Sequence, residues 1–129
     1  ALAGIPGTIG GAIVGNAGGR HGDIGTLVTR VSALDSQGTP VQKVGDELMF
    51  EYRDSGLRDL IILEAEFELQ PQPAEEITER LRKIWITKKA VQPLASQSVG
   101  CIFRNPRGSS AGELIEKAGL KGTRVGGAE

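Results

Sequence analysis

The sequence of 129 residues has little of the chemistry that most enzymes use, with one cysteine and one histidine. A single cysteine, Cys101, cannot form an intramolecular disulfide, which is compatible with a reducing compartment. One cysteine and one histidine cannot supply a closed zinc shell, so we expect no metal site. A Cys–His catalytic pair is disfavoured as well, because it would depend on His21, which lies in a glycine-rich loop.

The sequence also lacks an excess of charge and any long apolar run. Lys and Arg number 15 against 16 Asp and Glu, a formal net charge of -1. Domains that bind nucleic acids usually concentrate positive charge, so we expect no nucleic-acid partner. The apolar run at 60–63 ends at Glu64, far short of the ~20 residues that span a bilayer. We therefore expect no membrane segment.

Glycine is abundant, with 19 residues, and it is concentrated near the N-terminus. The run Gly4-Ile5-Pro6-Gly7-Thr8-Ile9-Gly10-Gly11-Ala12 predicts a tight loop that leads into a short helical stretch capped by Thr8. Its glycines would let a bulky ligand approach the backbone and would leave amides free to bind oxygen atoms. The spacing fits neither a Walker loop nor a dinucleotide fingerprint. The alternative is a turn that packs backbone against backbone.

The middle of the chain predicts strands. Alternating residues at 25–34 suit a strand covered on both faces, and a turn at 35–38 and a weaker strand at 41–44 follow. At 59–69 the period of two is clear, with the apolar positions Leu63, Ala65, Phe67 and Leu69 on one face.

Two helices are predicted after these strands. The first follows Pro73 and places Ile77, Leu81, Ile84 and Trp85 on one face. The second spans 110–119, with a capping box of Ser110 and Glu113 and with Gly119 at its C-terminal end. Strands followed by helices indicate an α+β fold.

Two short segments carry side chains that could do chemistry. Arg53 follows an apolar cluster, where its planar donor fork could orient a carboxylate or a phosphate. A surface ion pair at a strand end is the alternative. The segment 98–106 brings a thiol, an amide and a guanidinium close together, although a lone cysteine is more often a small buried hydrophobe.

These motifs together resemble the UDP-N-acetylenolpyruvoylglucosamine reductase family. The resemblance rests, in the family's order, on the glycine run at 4–12, Asn16-Ala17-Gly18, Tyr52-Arg53-Asp54-Ser55, Gly100-Cys101-Ile102-Phe103-Arg104-Asn105-Pro106, and Ala111-Gly112-Glu113-Leu114-Ile115-Glu116. The family is roughly twice as long, so we expect the chain, which opens at Ala1, to be a segment. The resemblance implies the later part of an FAD-binding α+β domain at 1–70 and the start of a smaller α+β substrate-binding domain at 71–129, with a boundary that could move to Gln92.

The family's activity is implied by the same resemblance. NADPH reduces FAD, and the reduced flavin passes hydride to UDP-N-acetylglucosamine enolpyruvate, which forms UDP-N-acetylmuramate for peptidoglycan in the bacterial cytoplasm. We expect the isolated segment to be inactive, because part of the cofactor site would lie outside it. An incomplete sheet would expose strand edges, which favours self-association of the segment.

The resemblance also implies roles for individual residues. Arg53 matches the position that stabilises the enolate, and Cys101 stands where most relatives have a serine that donates the proton. A thiol can serve there, because it is a stronger acid than an alcohol. Tyr52 and Asn105 match substrate contacts, and Lys88 and Lys89 are possible substitutes for a substrate lysine that does not align. The residues implied to bind the cofactor are Ile5, Pro6, Gly7, Thr8, Gly10 and Gly11.

The sequence is also compatible with two other functions. Another flavin oxidase or dehydrogenase of the same superfamily could share the glycine loop, although the motifs at Arg53 and Cys101 argue against it. A non-catalytic binding or oligomerisation module is the second alternative. Flavin binding and substrate-dependent flavin oxidation would distinguish the three functions.

Overall fold

The protein combines short helices with small antiparallel sheets, which confirms the α+β prediction. A computed structural model describes residues 2–5, 7–19, 21–91 and 100–129. The chain divides into two compact units, Ala1–Gln92 and Pro93–Glu129. The second unit contains one described helix, α3 (Ala111–Lys117). The elements of the first unit are α1 (Ile9–Val14), β1 (Gly18–Gly19), β2 (Gly22–Asp23), β3 (Val28–Leu34), β4 (Pro40–Val44), β5 (Ile61–Phe67) and α2 (Ala74–Val91).

The core of the first unit lies on one face of a three-stranded sheet. The strands are antiparallel in the order β4-β3-β5, so β3 is central. The buried cluster comprises Ile13, Ile24, Val28, Val31, Ala33 and Leu57. Helix α1 lies against β5, where a Cβ added at Gly10 would stand 3.7 Å from the Cβ of Ile62. A Cβ at this position would thus make an ordinary van der Waals contact with the strand.

The central strand is shorter than its pattern predicts. Residues Ile24–Leu27 form a 3₁₀ turn instead of strand, and Thr26 Oγ1 donates to the carbonyl of Asp23 at 2.8 Å. The phenyl ring of Phe50 lies on Gly25, where a Cβ would come within 2.3 Å of it. Within β3, Val28, Val31 and Ala33 are buried, Arg30, Ser32 and Leu34 are half-buried, and Thr29 is exposed. The predicted turn at 35–38 is confirmed, since Gly38 donates to the carbonyl of Asp35 at 3.0 Å.

A β-bulge changes the pattern predicted for β5. Ser32 pairs with Glu64 and Ala33 pairs with Ile62, which leaves Leu63 as an extra residue. A bulge reverses the alternation of faces, so Ile62 packs against the core while Leu63 is 62% exposed. The prediction that Leu63 shares the inward face of Ala65 was therefore wrong, and the strand ends at Phe67 instead of residue 69.

Both predicted helices are present. Helix α2 begins after Pro73, whose carbonyl accepts from the amide of Ile77 at 3.2 Å. Of its predicted apolar face only Ile84 is buried, while Ile77, Leu81 and Trp85 are 41–47% exposed. In α3 the Ser110 hydroxyl accepts from the amide of Glu113 at 3.1 Å, as the capping box predicts. Gly119 has a φ of +70°, which is typical of a glycine that ends a helix.

Candidate functional site

The glycine loop and the first turn of α1 line a pocket. Its cavity volume is about 460 Å³, and its lining residues are Leu2, Ile5, Gly7, Thr8, Ile9, Gly11, Ala12 and Ala17. Four of the six residues proposed to bind the cofactor are in this lining. Pro6 lies outside the described residues, and Gly10 faces Ile62 of β5. The motif residues thus form a mostly apolar wall with glycine backbone in it.

Local hydrogen bonds explain the shape of this loop. Thr8 Oγ1 accepts from the amide of Gly11 at 3.1 Å, which caps α1 as the sequence predicts. Gly7 has a φ of +131°, and no atom lies within 4 Å of the place where its Cβ would be. A side chain at residue 7 would strain the backbone and would fill this space.

Helix α2 fixes the start of the loop. The ring of Trp85 lies against Gly4, where a Cβ would come to 3.0 Å of it. Lys88 Nζ donates to the carbonyl of Ala3. Lys89 Nζ lies 6.0 Å from the centroid of the Trp85 ring. The ammonium group of Lys88, a possible substitute for the substrate lysine, therefore serves here as a contact to the loop.

The lining also contains residues that were not among the six implied to bind the cofactor. Ile9, which lies in the loop 5–11 implied to face the flavin, and Ala12 are three positions apart on one helical face, and Ala17 lies in the Asn16-Ala17-Gly18 motif. Leu2 carried no such indication, because no periodic pattern includes it.

Tyr52 and Arg53 stand at the tip of a tight turn. The backbones of Glu51 and Asp54 exchange two hydrogen bonds, at 2.9 and 3.1 Å. Arg53 has a φ of +60°, a conformation that few residues other than glycine adopt. Its Cζ atom lies 6.0 Å from the centroid of the Tyr52 ring, within cation–π range. The turn thus presents together the two residues implied to act on the substrate.

Asp54 and Arg58 brace this turn from behind. Asp54 Oδ1 accepts from the backbone amides of Ser55 at 2.8 Å and Gly56 at 3.2 Å, and Arg58 Nε lies 3.4 Å from the same oxygen. These bonds, with the amide of Gly56 first, hold the pKa of Asp54 below its usual value. Arg58 Nη2 also donates to the carbonyl of Arg53 at 3.0 Å.

The lowered pKa of Asp54 gives a pH dependence that can be measured. The pKa of such a carboxyl group is lower in the folded state than in the unfolded state, where it is about 3.9. The group therefore stabilises the fold at pH values above about 3.9, and this stabilisation is lost as the pH falls through the pKa of the folded state. We expect the Asp54→Asn variant to have a lower thermal midpoint than the parent at neutral pH. Below pH ~4 the two midpoints should converge. Thermal unfolding from pH 7 to pH 3 tests this, and an unchanged gap between the two proteins over that range would contradict it.

Two side chains join the turn to the end of α1. Ser55 is 1% exposed, and its hydroxyl donates to the carbonyl of Val14 at 2.9 Å. Asn16 Nδ2 donates to the carbonyl of Glu51 at 2.8 Å. The helix that begins at the glycine loop is thereby fixed at its other end to the turn that carries Arg53.

In the second unit, the segment 100–106 is anchored at the start of α3. Asn105 Oδ1 accepts from the amide of Ala111 at 3.0 Å, so the amide oxygen of this residue holds the segment at the helix terminus. Cys101 is exposed, which contradicts the alternative of a buried hydrophobe within this unit. Gly100 precedes it with a φ of +78°.

Neither a metal cluster nor a membrane span is found in the part of the chain that the structure describes. Among those residues, no three His, Cys, Asp or Glu side chains are grouped so as to hold a metal ion. No helix in the same ranges has the length and apolar character needed to cross a bilayer.

Comparisons with known proteins agree with these motifs. The family model for the C-terminal domain of UDP-N-acetylenolpyruvoylglucosamine reductase matches residues 92–129. The reductase of Rickettsia felis is 41% identical over 128 residues, which cover 98% of this chain and 43% of that protein. That of Syntrophobacter fumaroxidans is 40% identical, covering 99% of this chain and 37% of the relative.

The fold agrees as well. The crystal structure of UDP-N-acetylenolpyruvylglucosamine reductase from Thermus caldophilus matches with a TM-score of 0.86 and 40% identity, over 97% of this chain and 46% of that one. The chain thus spans less than half the length of the relatives named above. By motif order, sequence identity and backbone, the chain belongs to the UDP-N-acetylenolpyruvoylglucosamine reductase family.

Proposed function

We propose that the protein containing this chain reduces UDP-N-acetylglucosamine enolpyruvate to UDP-N-acetylmuramate with NADPH and FAD. One observation carries the proposal: the glycine-loop pocket and the Tyr52-Arg53 turn belong to one unit and are joined through α1 by the bonds of Ser55 and Asn16. Hydride transfer to an anionic substrate requires a cofactor and a cation held at a fixed distance from each other. The pocket and the guanidinium of Arg53 meet this requirement because both are fixed to α1.

The pocket of the first unit fits a flavin. Its apolar side chains suit a flat aromatic ring system, and Gly7 leaves room that any side chain would fill. When bound, FAD would take hydride from NADPH and supply it to the substrate. Ile5, Pro6, Gly7, Thr8, Gly10 and Gly11 are the residues that we propose to hold it, with Gly10 acting through the contact of α1 with β5.

Arg53 and Cys101 act on the substrate in this proposal. Addition of hydride to the enolpyruvyl double bond leaves negative charge on the carbon that bears the carboxylate and on the carboxylate itself. The guanidinium of Arg53 stabilises this enolate more than the neutral double bond. The thiol of Cys101 donates its proton to that carbon, and Tyr52 and Asn105 contact the substrate.

The domain boundary follows from the same proposal. We assign residues 1–70 to the FAD-binding part and 71–129 to the start of the substrate-binding part. The family-model match begins at residue 92, and the compact units divide at Gln92. Both favour the alternative boundary at Gln92, which would place α2 in the FAD-binding part.

The proposal extends to the setting of the reaction. A reaction that consumes NADPH and a nucleotide-linked sugar belongs in the bacterial cytoplasm, and the single cysteine is compatible with that compartment. Self-association of the 129-residue chain stays a prediction, with the exposed Ile61 and Leu63 of β5 as its apolar contribution.

The spectrum of the bound flavin tests the function. The protein as its gene encodes it is purified, reduced with NADPH without oxygen, and mixed with UDP-N-acetylglucosamine enolpyruvate. We expect the flavin colour to bleach and to return, whereas UDP-N-acetylglucosamine as control leaves it bleached. A colourless protein that takes up no FAD would refute the cofactor assignment. Return of colour with oxygen but never with the substrate would favour another flavin oxidase.

A further inference from the structure

Asn16 is a buried polar residue in an unusual backbone conformation. Its side chain is nearly enclosed, with 6% of the residue exposed, and its φ is +41°. Nδ2 donates to the carbonyl of Glu51 at 2.8 Å, and Oδ1 accepts from the amide of Gly25 at 3.0 Å. One side chain thus joins its own segment to Gly25, nine residues away, and to Glu51, 35 residues away.

The carbonyl that Asn16 binds is the one that closes the Arg53 turn. Glu51 O also accepts from the amide of Asp54 at 3.1 Å, so the hydrogen bond from Asn16 acts on the base of the turn. Asn16 follows Gly15, the C-cap of α1, and α1 begins at the glycine loop. The amide group of Asn16 is therefore one of two side-chain links, with the hydroxyl of Ser55, that set the position of Arg53 relative to the pocket.

We propose that Asn16 is a positioning residue that sets Arg53 for its action on the substrate. The inference rests on the proposed function, since it assigns Asn16 a role through Arg53. Asn16 makes its hydrogen bonds to backbone, and its effect on the reaction is transmitted by the turn at Glu51–Asp54.

Few residues meet the requirements of this position. The left-handed backbone favours glycine or asparagine. Glycine lacks both hydrogen bonds, whereas aspartate keeps an acceptor for Gly25 but sets an oxygen against the carbonyl of Glu51. The variants Asn16→Gly and Asn16→Asp therefore separate the backbone requirement from the donor to the turn.

The test measures both halves of the reaction in the protein as its gene encodes it. Reduction of bound flavin by NADPH and its reoxidation by UDP-N-acetylglucosamine enolpyruvate are timed by stopped flow. We expect each variant to slow reoxidation by about 10- to 100-fold, because small misplacements of a catalytic group have effects of that size. Flavin reduction should change less than about threefold in the same variants.

A double-mutant cycle adds a readout that a merely structural role would not move. In an Arg53→Gly background, Asn16→Gly should slow reoxidation no further, because the group it positions is gone. Asp35→Ala is the matched control. Asp35 also binds two backbone amides, those of Gln37 and Thr39, each at 2.8 Å, in the β3–β4 turn, and its loss should leave both half-reactions unchanged.

The outcomes separate the two proposals. If the parent protein shows no reoxidation by substrate, the proposed function fails. If the parent reacts but both Asn16 variants reoxidise as fast as it does, the positioning role is overturned. Equal slowing of both half-reactions, additive effects in the cycle, or failure of both variants to yield folded flavoprotein would make Asn16 purely structural and would also overturn it.

Discussion

Replacing Arg53 with glycine should slow reoxidation of the reduced flavin by the substrate about 10²- to 10³-fold, the usual effect of removing one group that stabilises a developing oxyanion. Reduction of the flavin by NADPH should be unaffected, since the enolate charge forms only in the second half-reaction. Stopped-flow absorbance of the flavin measures both rates.

Glycine is the informative substitution here because of the backbone. Arg53 has a φ of +60°, which costs an ordinary residue roughly 1–2 kcal/mol, whereas glycine adopts it freely and loses roughly 0.5–1 kcal/mol in chain entropy, so the two costs partly offset each other. Arg53→Gly should therefore keep the thermal midpoint of the parent while losing activity. A lysine at position 53 keeps the charge without the planar fork, so the reoxidation rate of Arg53→Lys should lie between those of the parent and of Arg53→Gly.

A second arginine provides the control. Arg80 lies on α2, where Nη2 donates to Gln72 Oε1 at 2.8 Å, and Arg80→Gly removes the same group from a site with no proposed role in the reaction. Glycine inside a helix destabilises by about 1 kcal/mol, so this variant should be less stable yet fully active. Loss of activity in both variants alike, or in neither, would contradict the role of Arg53.

Local chemistry made part of the fold predictable from the sequence. The caps at Thr8 and Ser110 depend on residues three positions apart, and they are confirmed by their hydrogen bonds. The turn at Asp35 and the start of α2 after Pro73 are likewise set by short-range rules. The α+β class follows from the order of these elements.

Long-range pairing explains what could not be predicted. The bulge at Leu63 is set by the register against Ser32 and Ala33. The alternation of apolar and polar residues within β5 does not predict it. The bond from Asn16 to Glu51 joins residues 35 positions apart. For the site, the residues at the pocket and the turn were found through their family motifs, while the contacts that hold them in place required the structure.

The second large effect on the rate is expected when Cys101 is replaced, because we propose that its thiol donates the proton that completes the reduction. Cys101→Ala should slow reoxidation of the flavin by the substrate about 10²- to 10⁴-fold, the range for loss of a general acid, and should leave reduction by NADPH unchanged. Cys101 is exposed within its unit, so the alanine variant should unfold at the parent's temperature. Circular dichroism checks this before the rates are compared.

Serine at the same position decides whether Cys101 acts as the proton donor. Cys101→Ser supplies an O–H group in place of the thiol, so it should recover reoxidation to within about tenfold of the parent. Alkylation with iodoacetamide should slow reoxidation much more in the parent than in the serine variant, because a hydroxyl does not react as a thiolate does. If Cys101→Ala reoxidises as fast as the parent, or if serine rescues nothing, the proton comes from another group and Cys101 has no part in the transfer.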